Sequence, residues 1–180
     1  GCLLLLAVFV YQMRIPSLAE ATESADPVHH SFAEVLGQRH LFFGVIAIFV
    51  YVGAEVSIGS FLINYISAPE IGNIDHAQAS EYLAYYWGGA MVGRFIGAAL
   101  LRRFDARRLL ALFAVAAIAL LAVTMSTKGS VAMWAVLSIG LFNSIMFPTI
   151  FTIAIERLGP MTSKASSLLI MGIVGGAVIP

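Results

Sequence analysis

The sequence predicts an all-α membrane protein built as a polytopic helix bundle, and three observations lead to this fold class. Of the 180 residues, 60% are hydrophobic and 11% are charged. A soluble domain carries about 25% charged residues, so this chain lacks the polar side chains needed to cover itself in water. The mean hydropathy is +0.92. The few charged residues also concentrate between long apolar runs, as expected for loops that connect membrane-spanning helices.

A helix needs about 20 apolar residues to cross a hydrocarbon core of about 30 Å. Four runs provide this length, at 41–66, 82–101, 109–126 and 131–155. Two incomplete apolar runs flank them, at 1–13 and 166–180. We interpret these as the end of one spanning helix and part of another, and we expect the sequence to be an internal piece of a longer chain.

The basic residues orient the predicted spans. Residues 101–109 read LRRFDARRL, which no hydrocarbon layer accepts, so this segment predicts a tight cytoplasmic loop. The loops that alternate with it on the same side then hold most of the basic residues, namely Arg14, Arg39, Arg102, Arg103, Arg107, Arg108, Arg157 and Lys164. The opposite loops hold Lys128 alone. The positive-inside rule therefore places the Arg-rich side in the cytoplasm.

Residues 14–40 form the longest polar connection and predict a cytoplasmic linker between two helix bundles. Within it, the segment from Ser31 to Glu34 has the spacing of a capping box. This spacing favours a short amphipathic helix with Phe32, Val35 and Leu36 toward the membrane, and a flexible loop remains the alternative.

Two ionisable residues lie inside predicted spans, where a charge is costly unless it is paired or faces water. Glu55 falls near the middle of the 41–66 run, with Tyr51 one turn earlier on the same helical face. We expect Glu55 to line a polar cavity at the bilayer midplane, with Tyr51 beside it. The alternative is a carboxyl group that only hydrogen-bonds to a neighbouring helix.

Arg94, the second such residue, lies about 10 Å from the cytoplasmic end of its run, whereas Glu55 lies about 20 Å deep. This offset argues against a pair between them. We expect Arg94 to reach toward the cytoplasm and meet Glu156 or Asp105. The resulting gate or latch comprises Arg94, Glu156, Arg102 and Arg103. Plain anchoring of Arg94 at the interface is the alternative.

The 131–155 run contains Asn143, Ser144 and Pro148 near its middle. Proline lacks an N–H and displaces the carbonyl four residues earlier, so Pro148 predicts a helix kink at Ser144. Interrupted helices at the midplane are a feature of transporter binding sites. An ordinary proline kink is the alternative, but Asn143 and Glu55 lie at matching depth, which favours a shared cavity.

The 82–101 run carries two further patterns. Gly89, Gly93 and Gly97 recur every four residues, which permits close approach of another helix. At its start lie four aromatic residues, for which we expect an aromatic belt at the membrane interface, and stacking of Trp87 and Tyr86 on a sugar face is the alternative. They are Tyr82, Tyr85, Tyr86 and Trp87.

Several function classes lack support in the sequence. There is no HExxH, GxSxG, Walker or GxGxxG motif, and no His/Cys spacing typical of zinc, so we expect neither an enzyme nor a metal or cofactor site. Ten basic residues balance ten acidic residues, which argues against nucleic acid as a partner.

Four ordered blocks resemble the fucose/glucose/galactose:proton symporter family of the major facilitator superfamily. They are YVGAEVSIGSFLINY at 51–65, GGAMVGRFIGAALLRRF at 88–104, FNSIMFPTIFTIAIERLG at 142–159 and SSLLIMGIVGGAVIP at 166–180. The resemblance implies a transporter of two six-helix bundles, with this chain holding an incomplete C-terminal half and the end of the sixth helix. It also implies that Phe147 faces the sugar, and the Glu55 slot resembles the glucose/galactose branch.

The implied function is transmembrane transport of a monosaccharide, either glucose/galactose or fucose, by proton-coupled symport with alternating access. The expected partners are the sugar, the proton as coupling ion, the lipid bilayer and the N-terminal bundle of the same chain, which would carry the coupling carboxylates. The expected location is the plasma membrane, which in a bacterium is the inner membrane. Two alternatives stay open: a major facilitator exporter of drugs or another small solute, and a non-transporting membrane sensor or assembly subunit.

Overall fold

The computed structural model describes residues 31–180, and every regular element in that range is a helix. The helices are α1 (Phe32–Leu36), α2 (Arg39–Ser67), α3 (His76–Leu101), α4 (Ala106–Ser126), α5 (Gly129–Asn143), α6 (Met146–Ile155), α7 (Thr162–Gly172) and α8 (Gly175–Val178). A 3₁₀ turn at Gly159–Met161 precedes α7. The predicted span end at 1–13 and most of the linker at 14–40 lie outside the described residues.

Within residues 31–180, four helical stretches are long and apolar enough to cross a membrane: Arg39–Ser67, Ala106–Ser126, Gly129–Ile155 and Gly159–Val178. The third consists of α5 and α6, and the fourth runs from the 3₁₀ turn through α8. This last stretch begins earlier than the apolar run at 166–180 indicated. Polar residues at its start, among them Thr162 and Ser163, form part of the helix, where composition alone favoured a loop.

Helix α3 is 26 residues long and contains the predicted span at 82–101, but it is not among these four stretches. Contacts at the two ends of the bundle show its direction. At one end, the Gly129 N–H donates to the Glu70 carbonyl at 2.9 Å, which joins the α4–α5 and α2–α3 connections. At the other end, Arg107 and Glu156 pair at 2.9 Å, which joins the start of α4 to the end of α6. Helix α3 connects the two ends and therefore runs antiparallel to α2 and α4.

Aspartate caps set the first residues of two helices. Asp105 accepts hydrogen bonds from the backbone N–H groups of Arg107 and Arg108, both at 3.1 Å, and so begins α4. Asp75 accepts from the Ala77 N–H at 3.4 Å at the start of α3. Because of this cap, α3 begins six residues before the apolar run at 82–101, in a polar stretch whose composition resembles a loop.

The third span is interrupted at Ser144 and Ile145, between α5 and α6. Pro148 lies four residues after Ser144, so its ring displaces the Ser144 carbonyl and its missing N–H removes one helical hydrogen bond. The Ser144 hydroxyl donates to the Leu141 carbonyl in the last turn of α5 at 2.8 Å. The break lies where the position of Pro148 predicts a kink.

The Gly89, Gly93, Gly97 ridge of α3 packs against α5. A Cβ at Gly93 would overlap the Leu141 carbonyl, and a Cβ at Gly140 of α5 would overlap the Tyr86 carbonyl. Neither residue can carry a side chain at this helix separation, so the two backbones are in direct contact. Helix α5 therefore sits directly on α3 over the middle of the span.

Helix α1 forms as the capping-box spacing favours, but its apolar face differs from the prediction. Val35 is fully buried against the protein, in a core cluster with Leu41 and Ala165. Phe32 stays half-exposed beneath the ammonium group of Lys164, which lies 5.4 Å from the ring centroid. Val35 therefore anchors the helix to the bundle instead of facing the membrane.

Candidate functional site

A buried polar cluster lies at the α5–α6 break. The carbonyls at the end of α5 lack helical partners, and the Tyr51 hydroxyl of α2 donates to the Asn143 carbonyl at 2.8 Å. The Asn143 amide Nδ2 donates in turn to the Tyr86 hydroxyl of α3 at 3.4 Å. Tyr51, Asn143 and Tyr86 are all buried. The interruption caused by Pro148 thus brings polar side chains from α2, α3 and α5 to one level, which we call the midplane cluster.

Glu55 completes this cluster from the next turn of α2. It is half-buried, and its carboxylate lies beside the Tyr51 hydroxyl. Tyr51, Glu55 and Asn143 also line a cleft of about 490 Å³ between α2, α4, α5 and α6. This volume is within the range of about 300–1,000 Å³ typical of small-molecule sites. The cleft is otherwise apolar, apart from Arg107.

Arg94 lies at the level of this cluster, which differs from the depth that residue counting predicts. Its neighbour Gly93 backs onto Leu141 and Ser144, immediately beside Asn143. Its side chain is exposed on the described chain and interacts electrostatically with Glu55 and Tyr51. Counting from the loop assumes that all helices end in one plane, and α3 and α6 do not, so Arg94 is near Glu55 after all.

The predicted latch residues are arranged differently from the prediction. Glu156 pairs with Arg107 at 2.9 Å and lies 3.8 Å from Arg157, so its partner is not Arg94. Arg102 and Arg103 are exposed in the turn that follows α3. The sequence did not indicate Arg107, because only tertiary packing shows that the first turn of α4 faces the end of α6.

Phe147 and Tyr86 also differ in place from the predictions. Phe147 is half-buried, 6.1 Å from Phe151 between ring centroids, and is absent from the cleft lining. Tyr86 is 1% exposed and belongs to the cluster, whereas its position at the start of an apolar run predicted an interfacial belt. A signal was available: Tyr86 precedes Gly93 by seven residues, so both occupy the same helical face.

Among residues 31–180, no group of three His, Cys, Asp or Glu side chains is placed to hold a metal ion.

At the end of the bundle opposite the Arg-rich loops, Lys128 contacts Glu70. The Lys128 hydrogen bond and charge hold the pKa of the Glu70 carboxyl below its usual value.

Comparisons with known proteins agree on one family. The model of the Major Facilitator Superfamily matches residues 1–180. A glucose/galactose transporter of Brucella abortus is 56% identical over 142 residues, which is 79% of this chain and 34% of that protein. A putative glucose/galactose transporter of Helicobacter pylori is 44% identical over 177 residues, which is 98% of this chain and 42% of that protein. The chain therefore spans well under half the length of these relatives.

A solved structure gives the same result for the fold. The crystal structure of the Escherichia coli fucose:proton symporter superimposes with a TM-score of 0.84 at 33% identity, covering 98% of this chain and 43% of that one. This similarity confirms the predicted all-α bundle of the major facilitator type, of which this chain spans less than half. The chain is an integral membrane protein that belongs to the Major Facilitator Superfamily.

Proposed function

We propose that the parent protein transports a monosaccharide, glucose, galactose or fucose, across the bacterial inner membrane by proton-coupled symport, and that this chain supplies one wall of the solute site. One observation carries the proposal: a carboxylate, an amide and two phenols meet at an interrupted helix in the middle of a span. The names of the relatives support the substrate class.

The chemistry of the midplane cluster suits a polyhydroxylated solute. The Glu55 carboxylate accepts hydrogen bonds only, so it matches sugar hydroxyl donors. The Asn143 amide donates to Tyr86 through Nδ2, and its Oδ1 remains an acceptor. In this proposal Phe147, one turn beyond the break, supplies the aromatic surface against which the sugar ring packs when the site closes.

Alternating access requires the second bundle, which in this proposal carries the proton-coupling carboxylates. The two bundles rock about the midplane site, and the solute is exposed to each side in turn. At the cytoplasmic end, the Arg107–Glu156 pair with Arg102 and Arg103 is proposed as the gate that holds the closed state. The sugar, the proton and the lipid bilayer are the partners, and no bound cofactor is needed.

Counterflow in proteoliposomes containing the full-length parent tests this function. Vesicles loaded with unlabelled glucose, galactose or fucose are diluted into the labelled sugar. We expect saturable exchange of at least one of the three, with alkalinisation of the outer medium during net uptake. An exporter of another solute would exchange none of them. A sensor or assembly subunit would carry no flux and would retain its assembly when Glu55 is replaced by leucine.

A further inference from the structure

An arginine that the cytoplasmic latch leaves unused lies at the midplane. Arg94 is exposed on the described chain, although Gly93 beside it backs onto Leu141 and Ser144 at the α5–α6 break. A guanidinium at this depth is costly in lipid, and such groups face a bundle interior or a water-filled cavity. The surroundings of Arg94 in the parent protein are therefore polar, and it faces a partner or a solute.

Helix geometry directs Arg94 toward α2. Trp87 of α3 contacts α2 at Gly59, where a Cβ would lie 3.9 Å from its ring. Arg94 follows Trp87 by seven residues and so projects from the same face, about 10 Å further along the axis. Because α2 and α3 are antiparallel, the matching position on α2 is Val52, seven residues before Gly59. Glu55 lies within one turn of that position, in reach of a long side chain.

The two opposite charges interact at a distance and do not form a salt bridge. Glu55 and Arg94 interact electrostatically, but no salt bridge joins these two residues in the part of the chain that the structure describes. The guanidinium N–H groups therefore remain available to a third molecule, and the Glu55 carboxylate, although it lies beside the Tyr51 hydroxyl, has further lone pairs that can accept. An acceptor and a forked donor facing each other match the neighbouring hydroxyls of a hexose.

We propose that Arg94 is a solute-binding residue and that Arg94 and Glu55 together bind a pair of adjacent hydroxyls of the transported sugar. The carboxylate accepts from the hydroxyl hydrogens, and the guanidinium donates to the hydroxyl oxygens. This inference rests on the proposed function and adds a residue to its site. The competing role is charge balance alone, in which Arg94 neutralises Glu55 without touching the solute.

Sugar affinity of variants of the full-length parent separates these roles. The variants are Arg94→Gln, Arg94→Lys, Glu55→Gln and the double neutral variant, with Arg39→Gln as the control at the exposed start of α2. The dissociation constant is measured in detergent for the hexose that counterflow identifies and for its monodeoxy analogues. We expect Arg94→Gln to weaken hexose binding about 10- to 100-fold. Arg94→Lys is expected to lose less affinity, and Arg39→Gln to lose none.

The analogues make the assignment specific. For the wild-type protein, one monodeoxy sugar should bind more weakly than the hexose. For Arg94→Gln, the same monodeoxy sugar and the hexose should bind with equal affinity. Recovery of wild-type affinity in the double neutral variant would establish charge balance and overturn the inference, as would unchanged affinity in Arg94→Gln. A wild-type protein that binds no hexose would overturn the proposed function itself, so the two failures are distinguishable.

Discussion

Tyr51 couples the broken helix to the carboxylate that we assign to the solute site. Its hydroxyl satisfies the Asn143 carbonyl and lies beside Glu55. Removing one neutral hydrogen bond of this kind costs about 1 kcal/mol. We expect Tyr51→Phe to lower the unfolding temperature of the full-length protein in detergent and to slow sugar exchange, because both the break and Glu55 lose their neighbouring hydroxyl.

Tyr65→Phe is the matched control for this substitution. The Tyr65 hydroxyl also donates to a backbone carbonyl, that of Thr124, at 2.8 Å, but it lies near the other end of α2. We expect Tyr65→Phe to lower the unfolding temperature about as much as Tyr51→Phe does, and to leave the rate of sugar exchange unchanged. Equal exchange rates for the two variants would remove Tyr51 from the site.

The sequence predicted some members of the midplane cluster and not others, for a physical reason. Glu55 and Asn143 are polar residues in apolar runs. The free-energy cost of placing such side chains in lipid can be recognised from the sequence alone. Arg94 was visible in the same way, but its depth depended on how far each helix extends, which composition does not encode. Tyr86 was assigned to the interfacial belt in preference to the site, because an aromatic residue with a polar hydroxyl suits a membrane interface as well as a buried core.

At the scale of helices, the direct contact of α3 with α5 fixes the level of the cluster. A Cβ on Gly93 would meet the Leu141 carbonyl, a backbone group that cannot move away without shifting α5. We therefore expect Gly93→Ala to destabilise the bundle by about 1–3 kcal/mol, measured as a lower midpoint of thermal unfolding in detergent.

Gly88, one turn earlier on α3, provides the comparison. A Cβ at this position has nothing within 4 Å. Alanine also has the higher helix propensity, by about 1 kcal/mol. Gly88→Ala should be neutral or stabilising. Equal destabilisation by both substitutions would show that the contact with α5 is not what makes Gly93→Ala costly.

Helix existence was easier to predict than helix ends. Long apolar runs indicated the spans, and Pro148 indicated the α5–α6 break. The start of α3 was missed because Asp75 caps a polar first turn that resembles a loop in composition. The start of the last span was missed for a similar reason, since Thr162 and Ser163 are helical despite their polarity.

For the whole molecule, the contacts at the two ends support one orientation. The pairs Arg107–Glu156 and Lys128–Glu70 lie at opposite ends of the bundle. The Arg-rich turns lie at the same end as the Arg107–Glu156 pair. The positive-inside rule predicts that the Arg-rich end is cytoplasmic. The similarity to the fucose:proton symporter confirms the fold class, and the orientation remains a prediction.

Single cysteines introduced into the full-length parent test this orientation, with Cys2 and every other cysteine replaced by serine. A membrane-impermeant maleimide applied to intact cells with a permeabilised outer membrane should label Lys128→Cys. Arg103→Cys should react only after the inner membrane is opened. The reverse pattern would invert the orientation and with it the assignment of the gate.

The central claim is that the midplane cluster binds the transported sugar, and sugar counterflow by Glu55→Gln tests it most directly. Glu70→Gln provides the control, since it makes the same chemical change at an exposed carboxyl far from the cluster. With equal amounts of inserted protein, we expect Glu55→Gln and Asn143→Ala to reduce exchange at least about tenfold, as expected when a buried polar contact to the solute is lost. Glu70→Gln should match the wild type. Wild-type exchange kinetics in both cluster variants would contradict the account.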